Sequence, residues 1–373
     1  MVIVTGAALL IGSLRALRAV DPGVDVEHVL AARLEPPSEA YAGGRAAVFY
    51  DELLERLRAL PGVEEAGAIQ LLPLSFGNWA FPYLAEDHVP LAGGRLPSAN
   101  FRVVTPRYFR SVGMRVLAGR DVDAGDRAGG PDVALINHAM AETVWPGEDA
   151  VGKEIRLFGS RPLRVIGVVG DVHQQTLRDA TRPEIYMPLP QFPVAGMVVM
   201  VRAAGDPSRL ARPVRAAIHE VRGDVPIEDL RPLSAVMEAS LVRERFFASV
   251  LGFFGVLALS LGAVGVYGVM AYAVGTRRGE FSLRMALGAT RGGVVRTALA
   301  GGVGPVAVGL GAGLVGVYAV TRVLTGLLFG IGPMDPPTVA AAAFVLITVA
   351  AAAIWIPARR AGRADPARAL SSE

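Results

Sequence analysis

Residues 147–154 read Gly-Glu-Asp-Ala-Val-Gly-Lys-Glu, one position short of the phosphate-loop pattern GxxxxGK followed by Ser or Thr. In such a loop backbone N–H groups wrap a polyphosphate, the lysine neutralises it and the hydroxyl ligands magnesium. Here Glu154 stands where the hydroxyl is needed, and Glu148 and Asp149 would repel the anion. A strand-like run follows, not a helix whose N-terminus would hold phosphate. The spacing marks a turn, and the chain is not expected to hydrolyse nucleotide itself. Asp171-Val172-His173 could orient an imidazole as a general base, but no serine nucleophile or second carboxylate stands at a useful spacing. It reads as a solvated turn, and no nucleophile elbow occurs elsewhere. The other histidines are His28, His88, His138 and His219, and none has metal-ligand spacing to another. Cysteine is absent, which excludes thiol chemistry and cysteine-ligated metal. No catalytic residue, metal or cofactor is expected.

The elements that dominate the chain are of another kind. Phe246–Val274, Thr297–Thr321 and Val339–Ile356 contain no Asp, Glu, Lys, Arg or His. About 20 apolar residues at about 1.5 Å rise cross a hydrocarbon core of about 30 Å, so all three runs qualify as spans. Soluble helices carry a polar stripe, which these lack. Their small residues are informative. Gly309 and Gly313 have GxxxG spacing and Ala258 and Gly262 form a similar pair, which lets helix backbones approach within one chain or between two. Pro305 should kink its helix. With no ionisable group inside any run, a secondary transporter with a midplane site is disfavoured. The energy source should lie elsewhere.

The chain is 52% hydrophobic with a net charge of +3, and Lys153 is its only lysine. No basic run is interleaved with aromatics, so nucleic acid is not an expected partner. Between the first two runs lie Arg277, Arg278, Arg284, Arg291 and Arg296 against a single Glu280. Arg359, Arg360, Arg363 and Arg368 follow the third run, while residues 330–338 have no basic side chain. The positive-inside bias puts the arginine-rich segment and the tail in the cytoplasm and the large preceding domain outside. Val2–Leu14 is too short to span; it fits a signal peptide, an interfacial anchor or the outer end of a membrane helix, and the last agrees with this topology.

The outside domain reads as α/β at its two ends. Val29–Leu34 is a strand, Arg45–Leu60 an amphipathic helix stopped by Pro61-Gly62, and Val63–Leu71 a strand. The order recurs as Met197–Arg202, Leu210–Val221 and Val225–Leu230. Between them, about Thr105–Pro190, short β-branched runs such as Val133–Asn137, Ile155–Phe158 and Arg164–Val172 predict an inserted, mainly β subdomain.

RRGEFSLRMALGATR, residues 277–291, resembles the cytoplasmic coupling segment of MacB/FtsX-like ABC transporter permeases. PARRAGRADPARAL, residues 357–370, resembles their C-terminal signature, and LLFGIGPMDPPT, residues 327–338, the outer loop of their duplicated-permease (ADOP-type) branch. VVTPRYFRSVGMRVLAGRDV (103–122) and VALINHAMAETVWPGEDAVGKEI (133–155) look like the family's periplasmic core domain. The resemblance implies an α+β membrane protein of the inner membrane. A partial first transmembrane helix (1–20) precedes a periplasmic core domain (21–240), Porter-like and α/β over 21–104 and 191–235, with a mainly β, Sabre-like insert over 105–190. An FtsX-like permease domain (241–373) follows, with spans 246–274, 297–321 and 339–356 and a cytoplasmic tail. The chain resembles the C-terminal half of a longer duplicated permease, or a truncated reading frame. The resemblance further implies a separate ABC ATPase that docks on Glu280, Arg284 and the Leu287-Gly288-Ala289 turn, and a second permease unit, a copy or a paralogous half. A periplasmic adaptor would be a further partner. The expected function is export of small hydrophobic compounds or envelope substrates; the alternative is an FtsX-like regulator of a cell-wall hydrolase.

Overall fold

The computed structural model describes residues 1–37, 39, 41, 44–75, 79–86, 96–157, 161–174, 176–287, 289–324, 330 and 335–361. Gly288, His88, Phe158, most of the 327–338 loop and the tail beyond 361 lie outside the described residues. The chain divides into two units, Val20–Leu241 and a helical unit of Met1–Ala19 with Val242–Glu373.

The first unit is one 11-stranded sheet with short helices. In chain order it contains β1 (Val29–Leu34), α2 (Arg45–Arg58), β2 (Val63–Ile69), β3 (Ala80–Ala85), β4 (Ser98–Val104), α3 (Tyr108–Ser111), β5 (Val116–Gly119), β6 (Val133–Asn137) and α4 (His138–Val144). Then come β7 (Glu154–Leu157), β8 (Arg161–Val169), β9 (Glu184–Pro188), β10 (Met197–Ala203), α5 (Ala211–Val221), β11 (Ile227–Pro232) and α6 (Leu233–Ser240).

The two ends of the unit interlock. β1 is antiparallel to β10 and to β11, and β10 is antiparallel to β2, giving the order β11-β1-β10-β2. Each strand–helix–strand unit therefore has a strand of the other inserted between its own two, the double split βαβ arrangement. The reason is visible in the alternation: Leu30, Ala32 and Leu34 of β1 and Val199 and Val201 of β10 share one buried core with Phe49, Leu53 and Leu57 of α2 and Val214 and Ile218 of α5. Residues four apart on α2 fall on one helical face. Gly62, at φ 85°, turns the chain from α2 into β2.

The middle of the unit closes on itself. β4 pairs with β3, β3 with β7, β7 with β8, β8 with β6, β6 with β9, and β9 again with β4. Among the described residues the strand pairing that joins this ring to the α/β part is the bridge Ile69 to Val104. β3 and β4, which the sequence reading grouped with residues 21–104, thus hydrogen-bond among the strands of the 105–190 region. β4 alternates accordingly: Ala99, Phe101 and Val103 face the hydrophobic core, while Arg102 occupies the opposite pleat.

The helical unit contains α1 (Val2–Arg18), α7 (Val242–Thr276), α8 (Arg278–Ala286), α9 (Arg291–Leu324) and α10 (Pro336–Ala361). By length and composition α7, α9 and α10 can each cross a membrane. α1, at 17 residues, packs with all three, burying Leu9 and Leu17 and ending on Arg15 and Arg18, whose charge suits a helix C-terminus. Pro305 sits inside α9, which continues through it.

Candidate functional site: the coupling elbow and its helix bundle

α7 ends at Thr276 and α9 begins at Arg291, and the short helix α8 fills the elbow between them. Its inner face carries Phe281, which is buried with Val274 of α7, Val294 of α9 and Ala358 of α10. A single aromatic ring therefore clamps the elbow to three long helices. The opposite side shows Leu283 and Leu287, the latter 79% exposed. Glu280 and Arg284, one turn apart, form an ion pair on the surface, with Arg284 donating to Glu280. The elbow closes by hydrogen bonds from the Leu287 N–H to the Leu283 carbonyl (3.0 Å) and from the Ala289 N–H to the Arg284 carbonyl (2.9 Å). Thr290 then caps α9, its hydroxyl accepting from Gly293. At the same end of the bundle Arg360 of α10 donates to the Tyr267 hydroxyl of α7 at 2.7 Å.

Glu280, Arg284, Leu287 and Ala289 thus share one exposed elbow. The packing residues are distributed differently. Gly313 lies against Met1, and Gly316 against Val2, so these glycines admit α1. Gly302 is the close approach to Ile354 of α10. Around Gly309 and Gly262 there is nothing within 4 Å of an added Cβ, and Ala258 is half-buried. The GxxxG pair therefore serves two surroundings, one filled within the chain and one open.

The motifs resembling catalytic sites are occupied by local structure. Lys153 pairs with Glu148 and lies over the Trp145 ring at 5.3 Å, and the segment runs on into β7. Asp171 accepts from the Asn137 side-chain amide (2.7 Å) and the Ala139 N–H (2.8 Å), whereas His173 bonds the Asp179 carbonyl (3.0 Å), so the two do not act together.

Two features of the strand unit had no signal in the sequence. Behind the ring, Arg102 and Glu184 form a fully buried ion pair (3.2 Å) in which Glu184 also accepts from Tyr186 (2.6 Å) and Gln174 (2.9 Å). Burial pushes the Glu184 carboxyl above the usual carboxylate range despite the guanidinium beside it. Between α2 and the 106–128 segment lies a cleft of ≈ 940 Å³, lined by Asp51, Glu55 and Arg58 on one side and Arg107, Arg110, Asp121 and Arg127 on the other. Burial pushes Asp121 up to about 6, partly offset by the hydrogen bond from the Val122 N–H. Arg107, at φ 66°, holds a left-handed conformation at this rim.

A family profile of the MacB-like periplasmic core domain matches residues 3–217, and one of the FtsX-like permease C-terminal domain matches residues 252–366. The chain belongs to the MacB/FtsX-like family of ABC transporter permeases. This MacB-like permease is 29% identical over 302 residues to the macrolide export ATP-binding/permease protein MacB of Sodalis glossinidius (strain morsitans), covering 75% of this chain and 45% of that protein. It is 27% identical over 293 residues, 74% of this chain and 42% of the relative, to the probable syringafactin export ATP-binding/permease protein SyfD of Pseudomonas syringae pv. tomato. The chain spans about half the length of the curated relatives it matches. Among solved structures, the periplasmic region of MacB from Actinobacillus actinomycetemcomitans aligns with 60% of the chain and 97% of its own at 14% identity, with a TM-score of 0.39. That overlap is too loose to carry an argument. The family assignment makes this a membrane protein whose strand unit is a periplasmic core domain, and whose elbow falls within the permease domain.

Proposed function

We propose that this chain is the permease component of an ABC exporter in which a separate ATPase polypeptide drives the periplasmic core domain through the membrane helices. The carrying observation is the two-sided α8. Phe281 is locked into α7, α9 and α10, while Leu283 and Leu287 project outward beside an ion pair. A displaced elbow would drag all three helices, because a packed core transmits displacement and does not absorb it. In this reading the elbow and the tail face the cytoplasm of the inner membrane, and Glu280, Arg284, Leu287, Gly288 and Ala289 receive the ATPase. A second permease unit, a copy or the paralogous half of a duplicated permease, completes the pair, and a periplasmic adaptor extends the path. The similarity to a macrolide exporter and to a probable syringafactin exporter favours export of small hydrophobic compounds or envelope substrates over regulation of a cell-wall hydrolase.

The test is co-purification of the membrane complex with its ABC ATPase. Glu280→Arg with Leu287→Asp reverses a charge and places another in an apolar contact, so ATPase association should be lost. Unchanged association in a folded double variant removes the docking assignment.

A further inference from the structure

α9 and α10 leave a groove of ≈ 610 Å³ between them, walled by Leu299, Val303 and Ala307 on one side and Ile347, Ala351 and Trp355 on the other. The helices run antiparallel, since Gly302 meets Ile354 and Leu310 lies level with Leu346. From Leu299 to Leu310 the groove extends about 16 Å along the helix at 1.5 Å per residue, close to half of the roughly 30 Å hydrocarbon core. It therefore has the depth of one leaflet.

The mouth of the groove is basic. Arg296 lies three residues before Leu299 on α9, and Arg359 four residues beyond Trp355 on α10, about 5–6 Å past the last apolar lining at helical rise. In an antiparallel pair these positions are on the same side. The Arg359 guanidinium rests over the Trp355 ring at 5.3 Å, which holds it at the mouth. Among the described residues neither Arg296 nor Arg359 has a carboxylate partner, and both are exposed. An apolar slot one leaflet deep, with two arginines about one turn beyond its apolar lining that have no carboxylate partner among the described residues, matches the two halves of one molecule.

We propose that this groove binds an anionic phospholipid, with an acyl chain along Val303 and Ala351 and the phosphate between Arg296 and Arg359. Guanidinium forks suit phosphate oxygens, and each basic side chain at the surface adds to the preference for anionic lipid. The inference rests on α9 and α10 crossing the bilayer and is independent of what docks on α8.

The full chain, purified in detergent, is given phosphatidylglycerol and phosphatidylcholine of identical acyl chains, and retained lipid is read by native mass spectrometry. The wild type should retain the anionic lipid about ten-fold over the zwitterionic one. Arg296→Gln with Arg359→Gln, at two exposed positions, should bring the ratio near one while leaving the zwitterionic uptake unchanged. Val303→Trp should lower uptake of both. An unchanged ratio in the double glutamine variant overturns the proposal. So does efficient cross-linking of Ala307→Cys between two polypeptides in native membranes, which would show the groove filled by a second copy.

Discussion

Burial raises the pKa of two carboxyl groups of the core domain, the fully buried Glu184 and the half-buried Asp121, and they respond to mutation in opposite ways. Glu184 is tied to Arg102, Tyr186 and Gln174. Removing one partner of a buried pair leaves the other charge stranded, so Arg102→Met should cost about 3–5 kcal/mol. Adding Glu184→Gln should recover much of that loss, read as denaturation midpoints of the purified protein. Asp121 is pushed up to about 6 by burial, above its ordinary value of 3.8. The folded state then keeps this proton to higher pH than the unfolded state does. Stability contributed by the group is present at low pH and declines as pH rises between about 4 and 6. Asp121→Asn should accordingly raise the melting temperature at pH 7.5 and leave it almost unchanged at about pH 3, below both values. Neither residue stood out in the sequence, because an arginine or aspartate in a short strand or turn shows no sign of what will cover it.

At the scale of elements, glycines decide which segments can touch. A Cβ on Gly67 would lie 2.5 Å from the Tyr108 Cα and 2.8 Å from its nitrogen, so α3 docks on β2 only because that position has no side chain. Gly67→Ala must displace backbone, and a loss of about 1–3 kcal/mol is expected in chemical unfolding. In the bundle, Gly302→Val should lower stability by pressing on Ile354, whereas a Cβ added at Gly309 has no described atom beyond its own helix within 4 Å. The Gly309 variant is expected to stay within about 0.5 kcal/mol of the parent, measured as thermal unfolding in detergent. The spacing of Gly309 and Gly313 marked a close approach, yet spacing cannot say which neighbour arrives. Periodicity did better where one face is buried: Phe49, Leu53 and Leu57 announced α2, and Val133–Asn137 announced β6. β5 went unread because every one of its side chains is exposed, which erases the alternation.

For the whole molecule, the proposed stroke depends on Phe281 and Leu287 doing different jobs, the first buried against the long helices and the second exposed at the end of α8. In the proposed function Leu287 would belong to the docking surface and Phe281 to the transmission. Phe281→Ala leaves the exposed side of α8 intact and removes the ring that holds it against Val274, Val294 and Ala358. ATPase association should survive in this variant, while export falls and ATP hydrolysis no longer responds to cargo. Loss of association in Phe281→Ala would show that the ring shapes the docking surface itself.

Charge-free runs and the placement of arginine were enough to establish a membrane protein and to locate its elbow, since transfer of ionised groups into hydrocarbon is too costly to leave the pattern ambiguous. Strand and helix positions at the two ends of the core domain were also legible, as each buries one face at a regular period. Pairing was not. That β10 enters between β1 and β2, that β4 closes a ring with β9, and that Glu184 finds Arg102 are contacts between residues far apart along the chain. Such contacts are chosen by complementary shape and by the need to pair every buried polar group, conditions that exist only once the elements have come together.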